Sequence, residues 1–134
     1  MKNLTAEERL IAYFTMEIGI DSKIPTYSGG LGILAGDTIK SCADLNVPIV
    51  AVTLMYKKGH FSQKLDEYGQ QSELPHEWNP KELLEYLNKK VTVKLEGRDV
   101  FIQAWQYTVK GSNGFYVPII FLDTDTKENN NYDR

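Results

Sequence analysis

The sequence predicts an α/β fold in which one βαβ unit is followed by antiparallel β-hairpin strands. Two observations carry that expectation. From Leu10 to Met55 an apolar strand-like run, a glycine-rich segment, a run with helical period and a second apolar run follow one another. Beyond Lys58 most apolar stretches are short, alternate with polar residues and are separated by glycine-containing turns, the pattern of hairpins.

Taken in order, Thr5-Ala6-Glu7-Glu8 has the form of a capping box for one short helical turn. Leu10 to Met16, rich in aromatic and β-branched residues, reads as a buried strand. Glu17 to Ser28 contains Gly19, Asp21, Pro25 and Ser28 and reads as a loop, packed down by Ile18, Ile20, Ile24 and Tyr27. In Leu31 to Leu45 the residues Leu31, Leu34, Ile39, Cys42 and Leu45 recur near helical spacing, which leaves Asp37, Lys40 and Asp44 to solvent. Asn46 suits the left-handed position after a helix, and Pro48 prevents its return. Val47 to Met55 is almost continuously apolar, as in a parallel strand covered on both faces.

His60 to Leu65 reads as a strand that reverses at Asp66 to Gly69. Asn79-Pro80-Lys81-Glu82 carries an N-cap, a proline at the first helical position and a glutamate at the third, predicting a short helix over Lys81 to Asn88. Val91 to Leu95 and Val100 to Trp105 flank Glu96-Gly97-Arg98 as a hairpin, and Gly111 to Gly114 turns the chain into a last strand, Phe115 to Leu122. Asp123 to Arg134 is polar, so it is expected to bury little and to be a mobile tail of a single partial domain over residues 1–134.

Composition removes several function classes. With 134 residues, 42% hydrophobic and 25% charged, the chain has the make-up of a globular domain, and no apolar run approaches the roughly 20 residues of a membrane helix. Met1 to Glu8 lacks the apolar core of a signal peptide, so a cytoplasmic setting is expected. A net charge of -3 and a pI near 5.4 argue against nucleic-acid binding. Lys57-Lys58 and Lys89-Lys90 read as solvated turns and helix ends rather than binding patches. Cys42 stands alone, which rules out an intrachain disulfide and a cysteine-rich metal site, and its place in the helical pattern gives it a core role. His60 and His76 have no partner motif, no metal-ligand spacing is present, and no residue is assigned as catalytic.

The chemically suggestive segment is Ser28-Gly29-Gly30-Leu31-Gly32, at the start of the expected helix. Glycines let main-chain N–H groups approach an anion, and a helix start offers unpaired donors with positive partial charge. Glycines here also suit a tight turn and close helix–sheet packing. The position beside the carboxyl end of the first strand, where open α/β sheets bind ligands, favours phosphate. The segment is not the dinucleotide fingerprint, and no Walker lysine follows it. Glu17, at the same end of that strand, either supports the glycine loop or cofactor pocket or pairs with a nearby cation.

Four ordered blocks then show a likeness. Ala12 to Ile18, Pro25 to Asp37, Tyr56 to Asp66 and Phe121 to Asp125 resemble the N-terminal region of the α-glucan phosphorylases, which act on glycogen, starch and maltodextrin, in their compact bacterial and archaeal form. The resemblance covers nearly the whole chain. It implies part of the first of two Rossmann-like domains, with the active site between them, and a reversible phosphorolysis of α-1,4-glucan to glucose 1-phosphate. It also implies pyridoxal phosphate in the complete enzyme. The family's cofactor lysine and its basic phosphate-gathering residues lie beyond this chain, and no lysine here matches that motif. Carried over residue by residue, Gly29, Gly30 and Leu31 supply N–H groups at the phosphate and glucosyl subsite, and Gly32 keeps the turn tight. Ile33 departs from the arginine of many animal-type members.

The expected function is therefore that of an N-terminal phosphorylase fragment, inactive alone and completed by the C-terminal remainder. Its apolar surface is expected to be exposed and to drive self-association. Two other readings stand beside it: a non-catalytic phosphate- or glucan-binding module, and a fragment of a sugar-nucleotide glycosyltransferase resembling glycogen synthase. Trp78 and Trp105 read as core or partner-facing residues rather than sugar-stacking ones.

Overall fold

The structure is a computed structural model, described here over residues 6–8 and 11–134. Thr5, the first residue of the expected capping box, lies outside the described residues; Ala6–Glu8 form one 3-10 turn. The regular elements are β1 (Ile11–Phe14), α1 (Gly30–Asp44), β2 (Ile49–Leu54), β3 (Ser62–Leu65), β4 (Gln71–Leu74), β5 (Glu85–Leu95), β6 (Arg98–Lys110) and β7 (Tyr116–Asp123).

Five strands form one mixed sheet in the order β1-β2-β7-β6-β5, and β3 and β4 make a separate hairpin. β1, β2 and β7 run parallel, with Phe14 opposite Val52 and Val52 opposite Ile120. β6 and β5 then add antiparallel. This is the expected βαβ unit with appended hairpin strands, and its parallel strands all end at one edge, in Phe14, Leu54 and Asp123.

The core lies on one face of this sheet. Ile49, Ala51, Val117, Ile119 and Phe121 are buried there with Ile39 and Ala43 of α1 and with Ile18, Ile20 and Ile24 of the loop after β1. Complete burial of an isoleucine or phenylalanine stabilises by about 1.5–3 kcal/mol. The loop packs down as expected. β2, however, is not covered on both faces: Val50 and Val52 are half-buried and Leu54 is exposed. β1 is likewise not a buried strand, because it lies at the sheet edge with Phe14 75% exposed. The apolar runs have the length of two-sided strands, but these residues supply a covering layer on one side only.

The helix face also differs from the expected one. Gly32, Ala35, Gly36, Ile39 and Ala43 are buried, whereas Leu31, Leu34 and Leu45 point out. Close approach dictates this rotation. A Cβ on Gly36 would lie 2.0 Å from the Gly19 carbonyl oxygen, and one on Gly32 would lie 2.4 Å from Tyr27 Cβ. Only small residues fit that seam. Asn46 takes the anticipated left-handed conformation, with φ 57°.

The short helix predicted over Lys81 to Asn88 does not form. Asn79 caps as anticipated, accepting the Lys81 N–H at 3.2 Å and donating to Glu82 Oε1 at 3.0 Å, but only a 3-10 turn, Pro80–Glu82, follows. Eight residues make a marginal helix, and strand pairing offers these residues more: Tyr86 pairs with Trp105 and Leu84 is buried. At the far end of β5, Glu96 and Gly97 both have positive φ (49° and 81°) between the paired Leu95 and Arg98, the two-residue turn whose twist suits a hairpin.

The polar tail buries more than its composition suggests. Asn129 is buried: its Oδ1 accepts the Phe101 N–H at 2.8 Å, and its Nδ2 donates to the Phe101 carbonyl at 2.7 Å and the Thr124 carbonyl at 2.7 Å. β7 pairs with β6 only from Gln103 onward. One asparagine side chain thus satisfies the strand backbone that β7 leaves unpaired. Asp133 adds a two-point contact with Arg98 at 3.3 and 3.1 Å.

Candidate functional site

From the carboxyl end of β1 a loop runs through Glu17 and returns to the glycine segment at the start of α1. Thr15 continues the ladder through its N–H to the Val52 carbonyl (3.0 Å), and its Oγ1 donates to the Glu17 carbonyl (2.8 Å). This turn places the Glu17 carboxylate at the start of α1. Oε1 accepts the Gly32 N–H at 3.0 Å, and Oε2 accepts the Ser28 N–H at 2.9 Å and the Ser28 hydroxyl at 3.4 Å.

Gly29 is the N-cap and has no side chain to cap with. A helix start leaves four N–H groups without intrahelical partners. Here Glu17 takes the last of them, on Gly32. The three before it, on Gly29, Gly30 and Leu31, are exposed and have no hydrogen-bond partner among the described residues.

The glycines divide into two kinds. Gly32 and Gly36 are packing glycines. A Cβ on Gly29 or Gly30 would meet nothing within 4 Å, and neither has a positive φ. Neither packing against the described residues nor backbone conformation accounts for those two.

Beside this segment is a cavity of about 520 Å³, lined on one wall by Glu17, Ser28, Leu31 and Leu34. The opposite wall is the loop after β2, which brings Tyr56, Lys58 and His60 to the site. That loop is pinned on several sides. The Tyr56 hydroxyl donates to the Met16 carbonyl (3.1 Å), the Trp78 indole N–H to the Tyr56 carbonyl (2.8 Å) and the Gly59 N–H to the His76 carbonyl (3.0 Å). Gly59 packs on Pro25 so closely that a Cβ would lie 2.5 Å away.

Of the residues singled out in the sequence, Glu17, Ser28 and Gly29 to Gly32 are therefore together. Gly32 differs from its neighbours because its N–H is committed to Glu17. His60 packs its ring 4.2 Å from that of Phe61 and lines the cavity, and His76 contributes its backbone carbonyl. Trp105 is buried on the sheet and distant in topology, with its indole N–H on Asp123 (3.0 Å). Cys42 packs against the core, and burial pushes its thiol pKa up, as suits a small apolar side chain. Sequence reasoning missed Tyr56 and Lys58. Their signal was positional: they directly follow a parallel strand, at the edge where the glycine segment also lies.

No group of three or more potential metal ligands occurs among the described residues. Every described lysine is exposed, and a Schiff-base lysine needs a desolvated, supported position. The residues present therefore do not fit the anchoring of pyridoxal phosphate. Among the described residues no helix is long and apolar enough to cross a membrane.

A family model described as carbohydrate phosphorylase matches residues 21–123. A maltodextrin phosphorylase of Thermococcus litoralis is 40% identical over 134 residues, an alignment covering 95% of this chain and 16% of that protein. A glycogen phosphorylase of Mycobacterium tuberculosis is 41% identical over 125 residues, covering 89% of this chain and 14% of the relative. One of Aquifex aeolicus is 33% identical over 132 residues, covering 92% and 18%. The chain thus spans less than a fifth of the length of these relatives.

Proposed function

We propose, from the premise that the chain belongs to the carbohydrate phosphorylase family, that it is the N-terminal part of an α-glucan phosphorylase. The activity is reversible phosphorolysis of α-1,4-glucan to glucose 1-phosphate. The chain contributes the glycine-rich phosphate segment and needs the C-terminal remainder for turnover. Pyridoxal phosphate, which the family resemblance implies, supplies proton transfer at its phosphate when bound in the complete enzyme, and its lysine comes from outside this chain.

The observation that supports this reading is the run of three exposed, unpartnered amides at Gly29, Gly30 and Leu31, held at both flanks by Glu17. In the proposed role these N–H groups donate to phosphate oxygens and to the glucosyl unit beside them. Glu17 sets the spacing of the donors and does not contact the reacting atoms. Leu31, Leu34 and Tyr56 bound the cavity and limit water.

Electrostatics explains the dependence on a partner. A helix start carries roughly half a positive charge, and the Glu17 carboxylate offsets it. Phosphate held here would face a neighbouring anion with Lys58 as the one lysine lining the cavity, so in this reading further cations come from the remainder. Mixing the chain with the downstream remainder of a maltodextrin phosphorylase tests the reading. Glucose 1-phosphate is expected from the mixture and from neither part alone; release by the isolated chain, or none from a complex that has formed, counts against it.

A further inference from the structure

The turn between β6 and β7, Gly111 to Gly114, lies against the C-terminal end of α1, opposite the end that carries the glycine segment, and it holds the one Asn-Gly pair of the chain. Asparagine followed by glycine is the pair most prone to lose its side-chain nitrogen, because no Cβ shields the next backbone nitrogen from the carboxamide carbon. The phosphate segment makes no use of this pair.

The turn is seated on the last residues of α1. A Cβ on Gly111 would lie 2.3 Å from the Ala43 carbonyl oxygen, so the two backbones are in contact. Asp44, which ends the helix, reaches the turn twice: its Oδ1 accepts the Ser112 N–H at 2.7 Å, and its carbonyl accepts the Asn113 Nδ2–H at 2.6 Å. The other end of the same carboxamide is occupied too, because Asn113 Oδ1 accepts the Phe115 N–H at 2.8 Å. Phe115 is buried and anchors the turn in the core. The Gly114 nitrogen, with φ 84°, donates its proton to the Gly111 carbonyl at 2.9 Å. Nucleophile and carboxamide are thus both tied by hydrogen bonds.

We propose that Asn113 is a site of covalent modification by deamidation, gated by the seat of its turn on α1. In the reaction the Gly114 nitrogen loses its proton to solvent base and attacks the Asn113 carboxamide carbon; the new C–N bond closes a succinimide ring, and the bond to Nδ2 breaks with release of ammonia. Water then adds to either succinimide carbonyl and opens the ring. The products are aspartate and isoaspartate, nothing is oxidised or reduced, and base and water are the co-reactants. While the turn is seated, attack requires Asn113 to give up both its bonds and Gly114 its own, so the reaction proceeds through local opening.

The modification also unseats the turn. The aspartate product keeps the bond to the Phe115 N–H, but it turns an oxygen toward the Asp44 carbonyl where Nδ2 had donated. That place is already negative. It lies at the negative end of the α1 dipole, the last turn of the helix has no basic residue, and the Ser112 N–H holds the Asp44 carboxyl below its ordinary value and therefore charged. Isoaspartate further lengthens the backbone inside the turn. A seated turn protects its asparagine, and a modified asparagine keeps the turn open.

The test is incubation of the 134-residue chain in mildly alkaline buffer, folded and in urea, followed by peptide mass spectrometry. Deamidation at Asn113 is expected to be slower by about tenfold or more in the folded chain than in urea. Asp44→Ala, which frees the Ser112 N–H, should recover part of that difference under folding conditions. Asn113→Asp should lower the denaturant midpoint and speed hydrogen exchange at the Ser112 amide. Equal rates in the folded and unfolded chain, no reaction in urea, or an Asn113→Asp midpoint equal to the parent's would overturn the proposal. None of these measurements involves phosphate, glucan or the remainder, so the proposal stands or falls apart from the phosphorylase reading.

Discussion

Glu17 reaches across fifteen residues to accept the Gly32 N–H at 3.0 Å, and so caps a helix whose own N-cap is a glycine. The same carboxylate holds Ser28, so it fixes the glycine segment at both ends. Hydrogen bonds to a charged group contribute about 1.5–3 kcal/mol each. Glu17→Ala should lower the stability of the chain by at least about 2 kcal/mol, read as a drop in the denaturant midpoint. Glu17→Gln, which keeps one acceptor oxygen, should fall in between. A midpoint unchanged in Glu17→Ala would show that the cap contributes nothing.

The two kinds of glycine separate in mutation. Gly36→Ala places a methyl 2.0 Å from the Gly19 carbonyl oxygen and should destabilise by about 1–3 kcal/mol. Gly30→Ala meets open space at the first helical position and should leave stability unchanged or slightly raised. In the complex with the remainder it should nevertheless raise the KM for phosphate. Paired thermal melts and phosphate kinetics check both halves.

Asn129→Ala should cost about 1–3 kcal/mol, because it strands the partly buried N–H and carbonyl of Phe101. The loss should show as faster hydrogen exchange at Phe101. Asn129→Asp keeps the acceptor and loses both donated bonds, so exchange at Phe101 should rise less than in Asn129→Ala.

Acid should loosen the tail and the helix end together. The Arg98 guanidinium holds the Asp133 carboxyl below its ordinary value, Lys57 and Arg134 do the same for Asp125, and the Ser112 N–H does so for Asp44. A carboxylate whose folded-state pKa is depressed contributes stability above its unfolded value and loses it as the pH falls through the folded one. Stability should therefore be flat near neutrality and decline below the usual carboxylate range. A denaturant midpoint that rises on acidification would contradict these assignments.

Phe14 and Met16, 75% and 74% exposed, lie together with Leu54 at the end of the parallel strands. Surfaces of this kind associate. Light scattering should show self-association of the isolated chain, reduced in Phe14→Ser/Met16→Ser; a monomer at high concentration would contradict it.

What was legible in the sequence was whatever local chemistry decides. The βαβ order, the left-handed Asn46, the hairpin turn at Glu96-Gly97 and the Asn79 cap follow from residues acting on their neighbours. Tertiary contacts decided the rest. The run from Glu85 through Tyr86 is a strand because Trp105 and Gln106 lie opposite, and α1 turns its leucines outward because Gly32 and Gly36 allow a closer approach than leucine would. The four-residue spacing of those two glycines was the available signal for that seam. At the candidate site the glycine segment was legible and Glu17 was left between two roles; the structure assigns it the cap. Tyr56 and Lys58 reach the site only through the position of β2 in the sheet.

The most direct measurement labels this chain with nitrogen-15, binds it to the unlabelled remainder and adds inorganic phosphate. The account predicts saturable shifts of the Gly29, Gly30 and Leu31 amides, with the Gly32 amide held by Glu17 and little changed. An active complex in which those three amides do not respond to phosphate would contradict it.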